Sequence, residues 1–360
     1  MARLGISIYP DVSNDLKKDV QYIDMACEYG FKRLFTNMLS VDREALEKVK
    51  TVHAHARLKG MEVITDVSPS VFSAYNISYD DLSFFKDLNV DGIRLDEGFD
   101  GLKEAMMTHN DDNLKIELNA SQDTKYIDNV ISYGAYKGNL ITSHNFYPQR
   151  YTGLSYDQFK KTSEASKQNN LVIAAFVSSN AENALGPWPI NDGLCSLEMH
   201  RDLPLDLQVR HLFATGLIDD VLIANMYASR EELKLLASIH PGRVTIKVKF
   251  NDSIQEIEKE IALNYKHIAR GDMSEYMVRS TMPRITYAAE SIKEKYTPAI
   301  LNKGDICILN ERYGRYKGEL HIILKEMKNK GNINVIGHVE ENEEILLDFI
   351  KPWTAFTLIE

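Results

Sequence analysis

The 360-residue chain has few cysteines, no long apolar run and no excess of positive charge, and each lack excludes a class of protein. The three cysteines, Cys27, Cys195 and Cys307, are far apart, which excludes a disulfide framework and a CxxC metal site. No segment approaches the roughly 18 apolar residues of a membrane span. A net charge of −10, from 42 basic and 52 acidic residues, argues against a nucleic-acid partner. Because the apolar stretch near the N-terminus is too short for a signal peptide, we expect a cytoplasmic protein without membrane contact.

The first 240 residues contain a regular alternation of short apolar runs and helical sequence. The eight strand-like runs are Leu4–Tyr9, Arg33–Met38, Met61–Val67, Gly92–Asp96, Leu114–Asn119, Leu140–Phe146, Val172–Val177 and Val221–Tyr227. Eight such units over this length favour a closed TIM (β/α)8 barrel. An open doubly wound sheet is the main structural alternative.

The pattern changes after Gly242, where one helical stretch, Ile254–Ile268, precedes a series of short strand-like runs. These runs are Tyr276–Thr281, Asp305–Asn310, Glu319–Lys325, Asn332–Val339 and Phe356–Ile359. Turn sequences separate them. The sequence therefore predicts an α/β protein with a TIM-barrel catalytic domain over residues 1–240 and a smaller, mostly β domain over residues 243–360.

Two adjacent acids, Asp96 and Glu97, end the fourth strand-like run, and residues at strand ends line the catalytic face of a barrel. Because side chains alternate along a strand, Arg94 and Asp96 are predicted to face the interior, with Glu97 at the exit into the loop. The same alternation turns Glu117 inward on the fifth strand, at the depth of Arg94. We therefore expect a buried Arg94–Glu117 ion pair below the mouth of the barrel.

Other strand ends add amide, phenol and carboxylate groups to the same face. Any one of these residues is explained by the polar character of positions near loops, but the set as a whole indicates a site for a polyhydroxylated ligand. The predicted binding residues at the strand ends are Tyr9, Asp66, Asn119, His144, Asn145, Tyr147 and Asn225.

Two loops are predicted to complete the site. After the sixth run, aromatic rings suited to stacking on sugars lead to Arg150, a candidate for binding an anion. The segment from Ser179 to Leu203 is about 25 residues long, and loops of this length are usually functional or disordered. We expect it to act as a lid, with Glu198 as a further candidate catalytic carboxylate and Arg201 as an anion contact.

The sequence lacks the residues that several other classes of barrel enzyme need at the strand ends. The first run ends without the lysine of a pyridoxal-phosphate enzyme, and Lys115 enters its strand at the wrong end for an aldolase. His53 and His55 lie in a predicted helix at a spacing that does not share a face, which argues against a zinc site. No nucleotide-binding glycine motif occurs. We expect no cofactor and no metal. The carboxylates instead suit glycosidic cleavage, which needs an acid for the leaving oxygen and a second group at the oxocarbenium-like centre.

Five segments carry a resemblance to a known family. They are Leu4–Pro10, Arg94–Gly98, Ser143–Pro148, Gly193–Arg201 and Asn310–Leu320. Together they resemble the 6-phospho-N-acetylmuramidase family across both predicted domains. The resemblance implies a cyclophilin-like fold for the C-terminal domain. It also implies cytoplasmic hydrolysis of the disaccharide 6-phospho-N-acetylmuramic acid–N-acetylglucosamine, an intermediate of peptidoglycan recycling in cell-wall amino-sugar metabolism.

The implied substrate is an anionic phosphosugar, so a chain of net charge −10 needs local cations to bind it. Arg150, Arg201 and, in the β domain, Arg312 are the candidates. Asp96 and Glu97 are the leading catalytic candidates, with Glu198 in reserve. A sugar-phosphate isomerase or epimerase and a non-catalytic binder of cell-wall fragments are the alternative functions. The sequence predicts neither the stereochemistry of cleavage nor the oligomeric state.

Overall fold

The structure, a computed structural model, describes residues 2–13, 15–39, 43–190 and 192–360. The chain divides into two compact units, residues 1–238 and 239–360. Within the described part of the chain, none of the helices combines the length and the apolar character that crossing a bilayer requires.

The first unit is a closed barrel of eight parallel strands that follow one another in chain order. The strands are β1 (Arg3–Ser7), β2 (Arg33–Asn37), β3 (Glu62–Val67), β4 (Gly92–Leu95), β5 (Lys115–Asn119), β6 (Leu140–Ser143), β7 (Ile173–Val177) and β8 (Asp220–Ile223). The predicted TIM barrel is therefore confirmed. Several strands end earlier than predicted, because the polar residues at their C-terminal ends leave the sheet and form the mouth.

Helices connect the strands and cover the outside of the barrel. They are α1 (Pro10–Ser13), α2 (Leu16–Glu28), α3 (Arg43–Leu58), α4 (Pro69–Tyr75), α5 (Ser83–Asp87), α6 (Leu102–Met107), α7 (Tyr126–Ser132), α8 (Tyr156–Gln168), α9 (Leu205–Ala214) and α10 (Arg230–Ala237), with short 3-10 helices at Lys137–Asn139 and Glu198–His200. Ser155 and Ser229 begin α8 and α10, since each hydroxyl accepts a hydrogen bond from a backbone amide of the first turn.

Below the mouth, the interior of the barrel contains a network of charges. Arg33, on β2, is fully buried and donates to Glu117 of β5 and, at 2.8 Å, to Asp220 of β8. Arg3 also donates to Asp220, at 2.8 and 2.6 Å. The predicted ion pair between Arg94 and Glu117 is therefore wrong, because each residue pairs with a different partner. Glu117 and Asp66 are both register neighbours of Arg94, but Glu117 pairs with Arg33, and Arg94 pairs with Asp66 and with Asp96 at the end of its own strand.

The second unit is mostly β, as predicted. It contains a seven-stranded sheet in the order β10-β17-β9-β16-β13-β14-β11 and a two-stranded sheet of β12 and β15. Its elements are β9 (Val244–Phe250), α11 (Glu256–Asn264), β10 (His267–Ile268), β11 (Met277–Ser280), α12 (Pro283–Thr286), β12 (Ile300–Leu301), β13 (Asp305–Leu309), β14 (Leu320–Ile323), β15 (Met327–Lys328), β16 (Ile333–Val339) and β17 (Ala355–Ile359), with 3-10 helices at Glu311–Tyr316 and Glu343–Phe349. The predicted helix ends earlier than expected, because its last residues form β10.

Candidate active site at the barrel mouth

One arginine organises the polar side of the barrel mouth. Arg94, on β4, is almost completely buried, and its Nη1 donates to Asp66 Oδ1 at 2.7 Å and to Asp96 Oδ1 at 3.2 Å. Its Nε donates to Ser143 Oγ at 2.9 Å, and its Nη2 donates to Asn145 Oδ1. These partners lie on β3 and β6 and just beyond the ends of β4 and β6. A single guanidinium therefore holds the ends of three strands together.

The two carboxylates on Arg94 have different environments. Burial raises the pKa of Asp66 to about 7, the charge of Arg94 opposes the rise, and the charge of Asp96 adds to it. Asp96, by contrast, has 38% of its side chain exposed at the rim. Burial and the nearby charge of Asp96 therefore both favour the protonated form of Asp66. Near neutral pH the mouth therefore contains a buried, partly protonated carboxyl group beside a more exposed one.

Glu97 follows Asp96 where the chain turns out of β4. The backbone amide of Asp96 still donates to the Val67 carbonyl of β3 at 3.0 Å, which fixes the position of Asp96 at the strand end. Glu97 is exposed, and its carboxylate has no hydrogen bond or ion pair to any residue that the structure describes. Its catalytic role stays a prediction.

An aromatic cluster lies inside the mouth next to the polar network. The rings of Phe35 on β2 and Phe176 on β7 have centroids 5.1 Å apart, and since these strands are not neighbours, the rings meet in the barrel interior. Phe146, just after β6, stacks edge-to-face on both. Trp188, from the segment predicted as a lid, lies 5.7 Å from Phe146 and is 43% exposed. Aromatic faces of this kind pack well against the apolar faces of sugar rings.

The structure does not bring His144 to the mouth, which corrects its assignment as a binding residue. Its ring contacts helix α8, with Nε2 2.8 Å from Ser163 Oγ and the centroids of His144 and Phe159 4.5 Å apart. Burial lowers the pKa of His144 to about 3, so the imidazole is neutral. The reason is the alternation of side chains: Ser143 and Asn145 take the inward positions, and His144 faces outward.

Tyr9 and Asn225 are buried in contacts between strand ends. The Tyr9 hydroxyl donates to the Ala224 carbonyl at 2.6 Å, and the side chain is fully buried. The Asn225 amide accepts a hydrogen bond from the Ser179 amide and donates to the Ser179 carbonyl, both at 2.8 Å. In this structure both side chains tie strand ends together, and their predicted contact with a ligand stays a prediction.

Ser121 connects Asn119 and Tyr147 to the hydrogen-bond network of Arg94. Asn119 Oδ1 accepts a hydrogen bond from the Ser121 amide at 2.8 Å, and Ser121 Oγ accepts one from the Asn145 amide at 2.7 Å. Burial raises the pKa of Tyr147, and both the Ser121 side chain and the charge of Arg94 oppose the rise. The structure therefore brings Asn119, Asn145 and Tyr147 together, as predicted from their strand-end positions.

Glu198 and Arg201 hold two loops together. Each carboxylate oxygen of Glu198 accepts one hydrogen bond from Arg201 and one from the backbone amide of Tyr151 or Gly153, at 2.6–2.8 Å. The Arg201 side chain is the largest cause that lowers the pKa of Glu198, to about 2. All acceptor positions of this carboxylate are thus used within the protein.

Arg201 is also fully engaged. Its Nη1 donates to the backbone carbonyls of Asp192 and Gly193 within the predicted lid and to that of Tyr147 in the loop after β6. The segment from Ser179 to Leu203 is thereby joined to the loop after β6. Asn191, within this segment, lies outside the described residues.

The two other predicted anion contacts form exposed ion pairs. Arg150 donates to both oxygens of Asp202, at 2.7 and 3.0 Å, and Arg312 in the second unit pairs with Glu294 at 3.2 Å. The arginine side chains are 39% and 55% exposed. Because exposed ion pairs contribute little free energy, an anion can replace the carboxylate partner at small cost. Both roles stay predictions.

Sequence reasoning missed the central position of Arg94 and the aromatic cluster. Alternation along β4 did place Arg94 inward, but its partners depend on the register of the barrel. Phe35 and Phe176 lie in the middle of apolar runs, where nothing distinguishes an inward aromatic side chain from a core residue.

Asp66→Asn is expected to flatten the dependence of stability on pH. Between the ordinary pKa of an aspartate and the folded value of about 7, the unfolded state ionises while the folded state keeps its proton, so stability falls as pH rises. Asparagine removes this loss, which amounts to at most about 1.4 kcal/mol per pH unit. Urea unfolding at pH 5 and pH 7 measures it, with exposed Asp80→Asn as the control. An unchanged slope in Asp66→Asn would contradict the raised pKa.

Two family models match the chain. The model described as 6-phospho-N-acetylmuramidase, N-terminal, matches residues 4–238, and the corresponding C-terminal model matches residues 244–359. The crystal structure of an uncharacterized B. cereus protein is similar, with a TM-score of 0.93 and 48% identity over 100% of this chain and 99% of that one. A conserved Enterococcus faecalis protein with an unknown function gives a TM-score of 0.73 and 25% identity, over 99% and 96%. A comparison with curated proteins found no match.

Proposed function

Because the chain belongs to the 6-phospho-N-acetylmuramidase family, we propose that it is a glycosidase that cleaves 6-phospho-N-acetylmuramic acid–N-acetylglucosamine. One observation carries the proposal beyond the family: a buried carboxylic acid, Asp66, and a rim carboxylate, Asp96, share the Nη1 of Arg94 at the mouth of the barrel. Glycosidic cleavage requires a proton donor for the leaving oxygen and a second group at the oxocarbenium-like centre.

In this mechanism Asp66 is the general acid. Its pKa of about 7 lets it hold a proton near neutral pH and still release it to a developing alkoxide. Asp96 is the second carboxylate, because it accepts a hydrogen bond from Arg94 and is 38% exposed at the rim of the mouth. Glu198 is left out of the pair, since its oxygens are occupied by Arg201 and two backbone amides.

The separation of the two carboxylates favours retention of the anomeric configuration. Their Oδ1 atoms lie 2.7 and 3.2 Å from the same Nη1 atom, so they are closer together than the roughly 6.5–9.5 Å between the carboxyl groups of inverting enzymes. A water molecule has too little room between them to attack while Asp66 protonates the leaving group. Asp96 is therefore proposed to contact the anomeric centre directly.

The aromatic cluster and one arginine supply substrate contacts. The exposed face of Trp188, beside Phe146, suits the apolar face of a sugar ring. Arg150, on the loop after β6, is proposed to exchange Asp202 for a negative group of the substrate. The family also supports a role in peptidoglycan recycling, a cytoplasmic location and a cyclophilin-like second unit as parts of this proposal.

The proposal is tested by incubating the protein with the phosphorylated disaccharide and following the mixture by proton NMR. We expect free N-acetylglucosamine and 6-phospho-N-acetylmuramic acid in equal amounts, with the latter released first in the anomeric form that it has in the disaccharide. The same disaccharide without the phosphate is the control and is expected to react more slowly. A changed sugar without released N-acetylglucosamine would indicate an isomerase or epimerase, and tight binding without turnover would indicate a binding protein; either contradicts the proposal.

A further inference from the structure

The second unit carries a group of arginines around one tyrosine. Tyr316, at the end of the 3-10 helix Glu311–Tyr316, has its ring centroid 5.3 Å from Cζ of Arg284 and 4.9 Å from Cζ of Arg315. Nη2 of Arg315 also donates to the Tyr316 hydroxyl at 2.8 Å. Contact with an aromatic face restricts the orientation of a guanidinium group. These two cations are therefore held in place before any ligand binds.

Two further arginines join the group through Asp272. Arg270 Nε donates to the Asp272 carboxylate, and Arg279 Nη2 donates to the Asp272 carbonyl at 3.0 Å. The backbone amide of Arg270 also donates to the Arg279 carbonyl at 2.9 Å. Asp272 raises the pKa of Arg270, and the charges of Glu319 and Tyr316 contribute further, which places all these groups within one electrostatic environment.

Glu319 and His321 form the buried part of this environment. Glu319 is 5% exposed and accepts a hydrogen bond from Arg284 Nη1, and its other oxygen lies 3.3 Å from His321 Nε2. His321 of β14 is the direct strand partner of Arg279 of β11, so the two side chains lie on one face of the sheet. His321 Nδ1 is buried and has no hydrogen-bond partner among the residues described. Buried polar atoms rarely lack a hydrogen-bond partner, and His321 Nδ1 lies beside the arginines.

The group has unused hydrogen-bonding capacity and a net positive charge. Each of the four guanidiniums directs its hydrogen bonds to described residues through a single nitrogen, although it carries five N–H donors. Four arginines face two carboxylates, on a chain whose net charge is −10. The side chains of Arg270, Arg279 and Arg284 are 41%, 28% and 26% exposed. An anion is repelled by most of the surface but attracted here.

We propose that Arg270, Arg279, Arg284 and Arg315 form a binding site for a phosphate monoester group. A phosphate dianion has three strong acceptor oxygens, which matches several fixed guanidinium forks better than a single planar carboxylate does. Met282 and Ile285, on either side of Arg284, are 55% and 60% exposed and offer apolar surface to the carbon skeleton of a sugar phosphate. The site lies in the second unit and does not depend on the reaction proposed for the barrel.

The site is tested by isothermal titration of the full-length protein with two probes, inorganic phosphate and N-acetylglucosamine 6-phosphate, at constant ionic strength. Arg284→Met combined with Arg315→Met removes two cations while keeping the length of both side chains. Arg243→Met, an exposed arginine of the same unit, is the matched control for lost charge. Thermal unfolding of each variant establishes that it is folded, and Tyr316→Leu separates the loss of stacking from the loss of charge.

We expect the double variant to bind the sugar phosphate at least tenfold more weakly, Tyr316→Leu to bind it a few-fold more weakly, and Arg243→Met to bind like the wild type. Binding of both probes would identify the phosphate group as the determinant, and binding of the sugar phosphate alone would show that the sugar is also recognised. Equal binding by the wild type and the folded double variant would overturn the proposal, because the phosphate would then bind elsewhere. The absence of binding to the wild type would overturn it as well.

Discussion

Asp66→Asn is expected to lower kcat on the phosphorylated disaccharide by about 10²–10⁴-fold, the usual contribution of a general acid. Asparagine keeps the size of the side chain and can still contact Arg94, but it has no proton to give to the leaving oxygen. The test uses two substrates, the disaccharide and a 4-nitrophenyl glycoside of the same phosphosugar. The nitrophenolate leaves without protonation, so Asp66→Asn should cleave the aryl substrate at close to the wild-type rate for forming the glycosyl intermediate.

Asp96→Asn is the matched variant for this experiment, since it changes the other carboxylate on the same nitrogen. We expect it to lose activity on both substrates, because a group that meets the anomeric centre is needed whatever leaves. In the wild type, kcat/KM on the disaccharide should fall as pH rises through about 7, where Asp66 gives up its proton. Equal losses on the two substrates in Asp66→Asn would show that Asp66 is not the general acid.

Arg33→Met is expected to destabilise the protein by about 3–5 kcal/mol, the cost of breaking a buried ion pair from one side. Arg33 is fully buried between Glu117 and Asp220, and methionine leaves these carboxylates with less compensation inside the barrel. Urea unfolding followed by circular dichroism measures the change. Because the unpaired charges are the reason for the loss, the double variant Arg33→Met, Glu117→Gln should recover part of it.

Arg57→Met is the control for the loss of an arginine from the same unit. Arg57 forms an ion pair with Asp91 at 3.3 Å and is 43% exposed, so its replacement should change the free energy of unfolding by less than about 1 kcal/mol. If Arg33→Met were no more destabilising than Arg57→Met, the buried network would not contribute as described.

Local patterns predicted the barrel because each of its eight units repeats the same apolar run followed by helical sequence. The alternation of side chains also placed Arg94 and Asp96 inside, since that argument needs only one strand. It could not identify the partner of Arg94. Asp66 of β3 and Glu117 of β5 are both register neighbours of Arg94, and which of them its guanidinium meets depends on how the other interior charges are paired in the closed sheet.

Two site residues have surroundings that the sequence pattern does not show, for different reasons. His144 was placed at the mouth by its position near a strand end, although the alternation with Ser143 turns it toward α8. Glu198 has its oxygens occupied partly by the amides of Tyr151 and Gly153, which are distant in sequence, so no local pattern indicates that these contacts form. In the second unit, the predicted runs do not include β9, although its buried and less buried positions alternate, because it directly follows the turn sequence at the predicted domain boundary.

The buried charges of the barrel also determine which part of the proposed substrate faces the interior. Four carboxyl groups, of Asp66, Asp96, Glu117 and Asp220, surround the two interior guanidiniums of Arg33 and Arg94. Even with a proton on Asp66, these groups carry no net positive charge, so the phosphate of the substrate gains nothing by entering the barrel interior. The ligand must present its uncharged hydroxyl and ring faces to the interior and keep its anionic substituents outside. Polarity, and not shape alone, thus fixes which end of the disaccharide leads on entry.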